Sequence, residues 1–133
     1  MLRRIIVACT LLAAVPAGAQ SGALIHATCA ASVAIDPAHV RTLRAQLERA
    51  LSGKANGYTL DVSLVQLTST PMNGEIEVRA EVKTLLSDAS GRVRLSSTSR
   101  AAARGPMRDR AAVHRDAVTA VADEVAKLVL KQR

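Results

Sequence analysis

Arginines dominate the stretch of the chain in which charged side chains could do chemistry. Between Arg92 and Arg115, seven arginines stand against one acidic residue, Asp109. Because a guanidinium group pairs bidentately with phosphate or carboxylate, such a run predicts contact with an anionic partner. The predicted binding residues are five members of this run: Arg92, Arg94, Arg100, Arg104 and Arg108. A charge run is also typical of an ordinary solvated surface, and both interpretations stay open.

Cysteine and histidine are too scattered in the sequence to predict a metal site. His26 and Cys29 stand three residues apart in a predicted strand, where they would point to opposite faces. His39 and His114 fall on predicted helices without nearby Cys or carboxylate clusters at the spacing that zinc requires. We therefore expect neither a metal nor another cofactor. Cys29 is predicted to be buried and inert, and the alternative is a disulfide between two copies of the chain.

The hydroxyl and carboxylate residues likewise predict no enzyme and no catalytic residue. No serine lies in a G-x-S-x-G motif or has a base that its spacing would assign to it. Glu75, Glu77 and Glu81 share one face of a predicted strand, where neighbouring arginines would keep them ionised. This arrangement is typical of a ladder of cross-strand ion pairs rather than of an acid–base pair.

Residues 1–19 are predicted to be a signal peptide that is removed on export. A basic start precedes an apolar run over residues 5–15, and small residues fit a cleavage site between Ala19 and Gln20. The run is too short to span a bilayer. Cys9 stands too early for a lipid-attachment site, so we expect an unlipidated protein that is periplasmic or secreted.

Residues 20–133 are predicted to form a single domain without a transmembrane segment. Sixteen basic and eleven acidic residues follow Ala19, so the mature chain is positively charged. The chain has one Tyr and no Phe or Trp, and it therefore lacks the stacking platforms of single-strand nucleic-acid binders. Export also argues against nucleic acid as a partner. We expect an envelope protein, an anionic lipid or lipopolysaccharide instead.

Four segments alternate between apolar and polar residues, as strands with one covered face do. They lie near residues 25–35, 58–67, 75–86 and 93–101. A change of phase at Val65 indicates either a bulge in the second strand or partial cover on both of its faces. In the hairpin between the last two, we expect Leu86 opposite Val93, with Val93 and Leu95 facing inward. The inner face of the fourth strand then continues with small residues, which would let a helix approach closely.

Two segments have the three- and four-residue spacing of amphipathic helices. The first begins with Asp36 as its N-cap, and the second runs from about Arg108 to Lys131. The order strand, helix, three strands, helix predicts an α+β fold. This is a two-layer sandwich in which both helices cover one face of a four-stranded, mostly antiparallel sheet. The first strand–helix–strand unit is expected to be a parallel crossover.

Three segments resemble the first helix, central hairpin and final helix of the lipopolysaccharide-assembly lipoproteins of the bacterial outer membrane. They are VRTLRAQLERAL, GEIEVRAEVKTLLSDASGRV and DAVTAVADEVAKLVLKQR. The resemblance covers most of the mature chain in topology and periodicity, and it implies a small envelope-assembly protein. The family is anchored through a lipidated cysteine at the cleavage site, where this chain has Gln20. The resemblance therefore does not carry over a membrane anchor or any functional residue.

These observations predict a non-enzymatic binding or assembly module of the bacterial cell envelope. It would act through the open charged face of its sheet or through a sheet edge, because edge strands accept partner strands. The alternative is a carrier or sensor that holds an anionic lipid in a groove between helices and sheet. That function requires an enclosed apolar pocket of about 300 Å³ or more. A small hydrolase is the third hypothesis.

Overall fold

The computed structural model describes residues 22–30 and 35–132, so the predicted signal peptide over residues 1–19 lies outside the described residues. The elements in chain order are β1 (Leu24–Cys29), α1 (Pro37–Ala50), β2 (Thr59–Met72), β3 (Glu75–Ser87), β4 (Val93–Pro106) and α2 (Arg110–Lys131). A short 3-10 turn, Met107–Asp109, joins β4 to α2. Among the described helices, none is both long and apolar enough to cross a bilayer.

The four strands form one open sheet in the order β1-β2-β3-β4. β1 lies parallel to β2, and the other two pairings are antiparallel. The core consists of one cluster of buried residues from the sheet and from both helices. The predicted α+β fold with a mostly antiparallel sheet is therefore confirmed, including the parallel first unit.

The alternation of apolar and charged residues places β3 at the centre of the core. Ile76 is 4% exposed, and Val78 and Val82 are fully buried, while the residues between them point away from the helices. This is the pattern that a strand with one covered face must have, because successive side chains point to opposite sides. The alternation in the sequence predicted these faces correctly.

The two helices cover the inner face with aliphatic stripes. The Asp36 carboxylate accepts a hydrogen bond from the Ala38 amide at 2.9 Å, which confirms Asp36 as the N-cap of α1. α1 buries Leu43 and Leu47, and α2 buries a longer set: Val113, Ala117, Val118, Val121, Ala122, Val125, Ala126 and Val129. With no Phe or Trp in the chain, valine, leucine and alanine fill the space between the layers.

The turns explain where the strands end. Asn73 and Gly74 both have positive φ and form a two-residue loop between the paired residues Met72 and Glu75. The β2–β3 register shifts between Leu64 and Gln66, which confirms the predicted bulge.

The β3–β4 register differs from the prediction. Leu86 pairs with Leu95, and Val93 pairs with Ser87 across an irregularity in the ladder. The extra residue at this point turns Val93 outward, where it is 52% exposed, so the predicted inward position of Val93 is wrong. A bulge of this kind changes the face of a residue without any change in the apolar–polar pattern.

β1 ends at Cys29, and residues 31–34 of the predicted strand lie outside the described residues. The predicted burial of Cys29 is wrong, since its side chain is exposed. On the inward side of β1, burial is therefore complete at Ile25, near the start of the strand, and is lost at Cys29, at its end. The exposed thiol leaves the alternative of a disulfide between two copies open.

α2 begins at Arg110 rather than at about Arg108. β4 stays paired with β3 as far as Pro106, and the Met107 amide donates a hydrogen bond to the Gly74 carbonyl at 3.0 Å. These contacts hold the chain extended up to the 3-10 turn. The first turn of the α-helix therefore begins later in the sequence than predicted.

Candidate functional site

The outer face of the sheet, defined as the side opposite the helices, carries most of the polar residues of the four strands. On β3 the outward positions alternate with the buried ones and are Glu75, Glu77, Arg79, Glu81, Lys83, Leu85 and Ser87. Both helices pack on the inner face, so within the described residues the outer face is open to solvent or to a partner. Two depressions lie on it, one in each half.

The structure places the five predicted binding arginines along β4 and its two ends rather than in one cluster. Three of them pair with carboxylates of this chain: Arg94 with Asp88 at 3.5 Å, Arg100 with Glu81 at 2.9 Å, and Arg104 with Glu77 at 3.5 Å. Arg92 lies in the β3–β4 turn and Arg108 in the 3-10 turn at the opposite end of β4. Neither has an ion pair among the described residues.

Ion pairs occupy the half of the outer face near the Asn73–Gly74 turn. Glu77 pairs with Arg79 at 3.2 Å as well as with Arg104, and Glu81 pairs with Arg100. A depression of about 460 Å³ in this half is lined by Gln66, Thr68, Arg79, Ala80, Glu81, Arg100, Ala101 and Ala102. Exposed pairs of this kind contribute little to stability, but they compensate the charge of the arginines.

Hydroxyl groups dominate the other half of the outer face, in a depression of about 500 Å³ that we call the hydroxyl depression. The strand register places its outward side chains in two rows across the sheet. These rows are His26, Asp61, Leu85 and Ser96, followed by Thr28, Ser63, Lys83 and Thr98.

Most polar side chains of the hydroxyl depression have neither an ion pair nor a hydrogen bond within the described residues. No ion pair within the described residues involves Asp61 or Lys83. Thr28 Oγ1 makes one long hydrogen bond, 3.5 Å to the Val62 carbonyl. A hydroxyl can donate as well as accept, and Lys83 supplies a cation next to Ser63 and Thr98. A polar or anionic group placed here would gain hydrogen bonds without breaking internal ones.

Reasoning from the sequence missed the hydroxyl depression for a geometric reason. Its residues come from four strands, and they become neighbours only through the strand order and register. The alternation predicted that Thr28, Lys83 and Thr98 point outward, but no local spacing connects them.

Three ionisable residues, His26, Asp61 and Lys83, share the hydroxyl depression with several hydroxyls. A nucleophilic serine needs a base within hydrogen-bonding distance, of about 2.6–3.2 Å. In the described structure no hydrogen bond joins Ser63 or Ser96 to His26.

A third depression, of about 370 Å³, lies where the starts of α1 and α2 meet. His39 and His114, 75 residues apart in sequence, stack there with ring centroids 5.7 Å apart and an interplanar angle of 20°. Asp36, Arg110 and Arg115 line the same depression. Burial, and then the neighbouring His114, lower the pKa of His39, whereas Asp36 opposes them. Within the described residues no three His, Cys, Asp or Glu side chains converge as a metal site would require.

The space between the helices and the sheet is filled in the part of the chain that the structure describes. The core cluster there contains residues that are at most 5% exposed, and partly buried aliphatic residues pack around it. The three depressions described above open on the outer face or at the helix starts.

No family model and no curated protein sequence matches the chain. Solved structures do match it. A minor lipoprotein from Acinetobacter baumannii is 14% identical with a TM-score of 0.56, covering 84% of this chain and 93% of its own. A protein from Caulobacter crescentus, provisionally named a lipoprotein, is 23% identical with a TM-score of 0.52, over 81% of this chain and 86% of its own.

A Xanthomonas campestris protein of the DUF330 family is also 23% identical, with a TM-score of 0.53, over 72% of this chain and 61% of its own. At these identities the similarity shows a shared fold alone. The chain therefore has a fold that is also found in proteins named as bacterial lipoproteins.

Proposed function

We propose that this protein is an exported, non-enzymatic binding module of the bacterial cell envelope that holds a polar partner on the outer face of its sheet. The observation that carries the proposal is the hydroxyl depression, where Asp61 and Lys83 have no ion pair among the described residues and hydroxyls surround them. Uncommitted polar groups of this kind lose little when a partner binds, because no internal bond has to break.

An envelope protein is the partner that fits the size of this surface. The outer face extends over β2, β3 and β4, which are 13 or 14 residues long, and both of its depressions are open. A macromolecule could contact both halves at once, with its acidic groups near Lys83 and the arginines. The signal-peptide pattern and the resemblance to lipopolysaccharide-assembly lipoproteins support the envelope location and an assembly role.

The centre of the proposed interface differs from the arginine run. Arg94, Arg100 and Arg104 are each compensated by a carboxylate of this chain, so they provide less attraction than their number indicates. Lys83 and its neighbours Ser63 and Thr98 become the central contacts, and the ion-paired arginines form the border.

Site-specific photo-cross-linking in cells tests this surface. A photoreactive amino acid at Thr98 in the hydroxyl depression should give a discrete cross-linked product, and Lys83→Glu should reduce that product about tenfold or more. The control places the same amino acid at Ala45, which is exposed on α1 on the opposite side of the molecule. Products of equal strength from Ala45, or none from Thr98, would contradict the choice of the outer face.

A further inference from the structure

One end of the molecule combines a group of elements that are distant in sequence, and we call it the hairpin end. The register aligns Leu24 at the start of β1 with Thr59, Ser87 and Val93 in one row across the sheet. The β3–β4 turn, residues 88–92, therefore lies at the same end of the sheet as the start of β1, two to three strands away. The Gly22 amide donates a hydrogen bond to Asn56 Oδ1, which adds the loop after α1, residues 51–58, to the same end.

Basic residues without internal partners lie at the hairpin end. Lys54 in the loop and Arg92 in the turn are exposed. Lys131 is exposed at the carboxyl end of α2, which returns antiparallel to β4 toward this end. None of the three has an ion pair among the described residues.

Asp88, the acidic residue of the β3–β4 turn, already interacts with groups of the turn and of β4. Asp88 accepts hydrogen bonds from the Ser90 and Arg92 amides at 3.0 Å each, and its other oxygen pairs with Arg94 at 3.5 Å. The pKa of Asp88 is lowered, first by the Ser90 hydroxyl hydrogen bond. Its charge is thus used within the turn, which leaves the cations of the hairpin end in excess.

Exposed apolar side chains also lie toward this end of the sheet. The exposed large hydrophobic residues of the described chain are Leu24, Leu85 and Val93, at 48%, 38% and 52%. Leu24 and Val93 lie in the same outward-facing row of the sheet, and Leu85 lies in the next outward-facing row. The rest of the outer face has polar residues or alanine at most outward positions, so the apolar residues are concentrated at one end.

The N-terminal segment joins the domain at the same end. Residues 1–21 lead into Gly22, and they contain the apolar run over residues 5–15.

We propose that the hairpin end docks on an anionic bilayer surface, with Lys54, Arg92 and Lys131 near the headgroups and Val93 and Leu24 at the acyl boundary. A basic residue near an anionic membrane strengthens binding about fivefold, and shallow insertion of apolar side chains adds to this. The inference rests on the proposed envelope location, but it concerns a different surface from the outer-face interface.

Vesicle binding tests the proposal on the protein as recovered from the envelope fraction of an expressing bacterium. The probes are vesicles of equal parts phosphatidylethanolamine and phosphatidylglycerol, compared with phosphatidylcholine alone. Arg92→Glu should weaken binding to the anionic vesicles about fivefold or more. Val93→Ser should weaken this binding on its own, and it should weaken it further when combined with Arg92→Glu. The matched control, Arg41→Glu, changes the net charge equally at an exposed position near the start of α1, at the opposite end of the molecule, and should alter binding by less than about twofold.

Each outcome decides the question once circular dichroism shows that the variants are folded. Selective loss in the Arg92 and Val93 variants supports docking by the hairpin end. Equal losses for Arg92→Glu and Arg41→Glu would mean that net charge alone attracts the protein, and that result overturns the proposal. Absence of binding to anionic vesicles also overturns it. Because the vesicles contain no protein, failure here leaves the cross-linking test at Thr98 unaffected.

Discussion

At the scale of single residues, three buried hydroxyl groups face α2 without a hydrogen-bond partner in the described structure: those of Thr84, Ser97 and Ser99. Thr84 is 3% exposed. Burying an unpaired hydroxyl costs roughly 1–3 kcal/mol, so Thr84→Val should raise the free energy of unfolding by about 1 kcal/mol. Urea unfolding measures the change, with Thr98→Val on the exposed outer face as a control expected to stay within about 0.5 kcal/mol. Destabilisation by Thr84→Val would reveal a partner for this hydroxyl, such as a buried water.

The stacked histidine pair predicts a pH dependence of stability. Burial and the facing His114 lower the pKa of His39 in the folded chain, so the unfolded chain binds the proton more tightly. The stabilisation is present above the unfolded value, about 6.5, and is lost as the pH falls through the lower folded value. Arg110 and Arg115 add positive charge to this cleft, and only Asp36 opposes it among the residues that line it.

Urea unfolding at about pH 7.5 and about pH 5 measures this effect. His39→Gln should reduce the loss of stability between the two values, because it removes the group that must bind the proton. His26→Gln on the outer face leaves the helix pair intact and should retain the full loss. If His39→Gln behaved like wild type, the pair would have no part in the pH dependence.

At the scale of elements, the small residues on the inner face of β4 set how closely α2 approaches. A Cβ added at Gly105 would lie 2.8 Å from Val113 Cγ2, closer than packed carbon atoms come. Gly105→Ala should therefore destabilise the fold by about 1–3 kcal/mol. Val113→Ala in the same chain should recover part of this loss, since it removes the methyl group that the new Cβ meets. A double-mutant cycle by urea unfolding measures the coupling, and additive effects would refute the close contact.

Element-level features also show what the sequence could and could not predict. The alternation in β3 predicted its buried face. In a strand with one covered face, a strict two-residue period allows only the apolar set of side chains to point toward the core. The same alternation fits Leu86 opposite either Val93 or Leu95, so it could not predict the register that a bulge selects. Cys29 has an inward parity, yet it is exposed. Its exposure could not be predicted, because parity does not show how far along the strand the helices cover the sheet.

The candidate site was harder to predict than the fold for a related reason. The arginine run is visible in the sequence, but the ion pairs of Arg100 and Arg104 depend on carboxylates from another strand. The hydroxyl depression and the contact of His39 with His114 arise only when strands and helices are assembled. Local spacing therefore predicted the helices and strands. The chemistry of the surface depends on how these elements are ordered and packed.

At the scale of the whole molecule, stability should decrease from the middle of the sheet to its β1 edge. β3 is paired on both sides along its length, whereas β1 pairs with six residues of β2 and borders no further strand in the described chain. Amides open with a free energy set by local packing and pairing, so peptides over residues 76–86 should exchange hydrogen at least about tenfold more slowly than residues 24–29. Hydrogen–deuterium exchange with mass spectrometry measures both regions in one experiment. Equal protection would show that something covers the β1 edge in solution, and Cys29→Ser combined with dilution would then test whether that cover is a second copy joined through the exposed thiol.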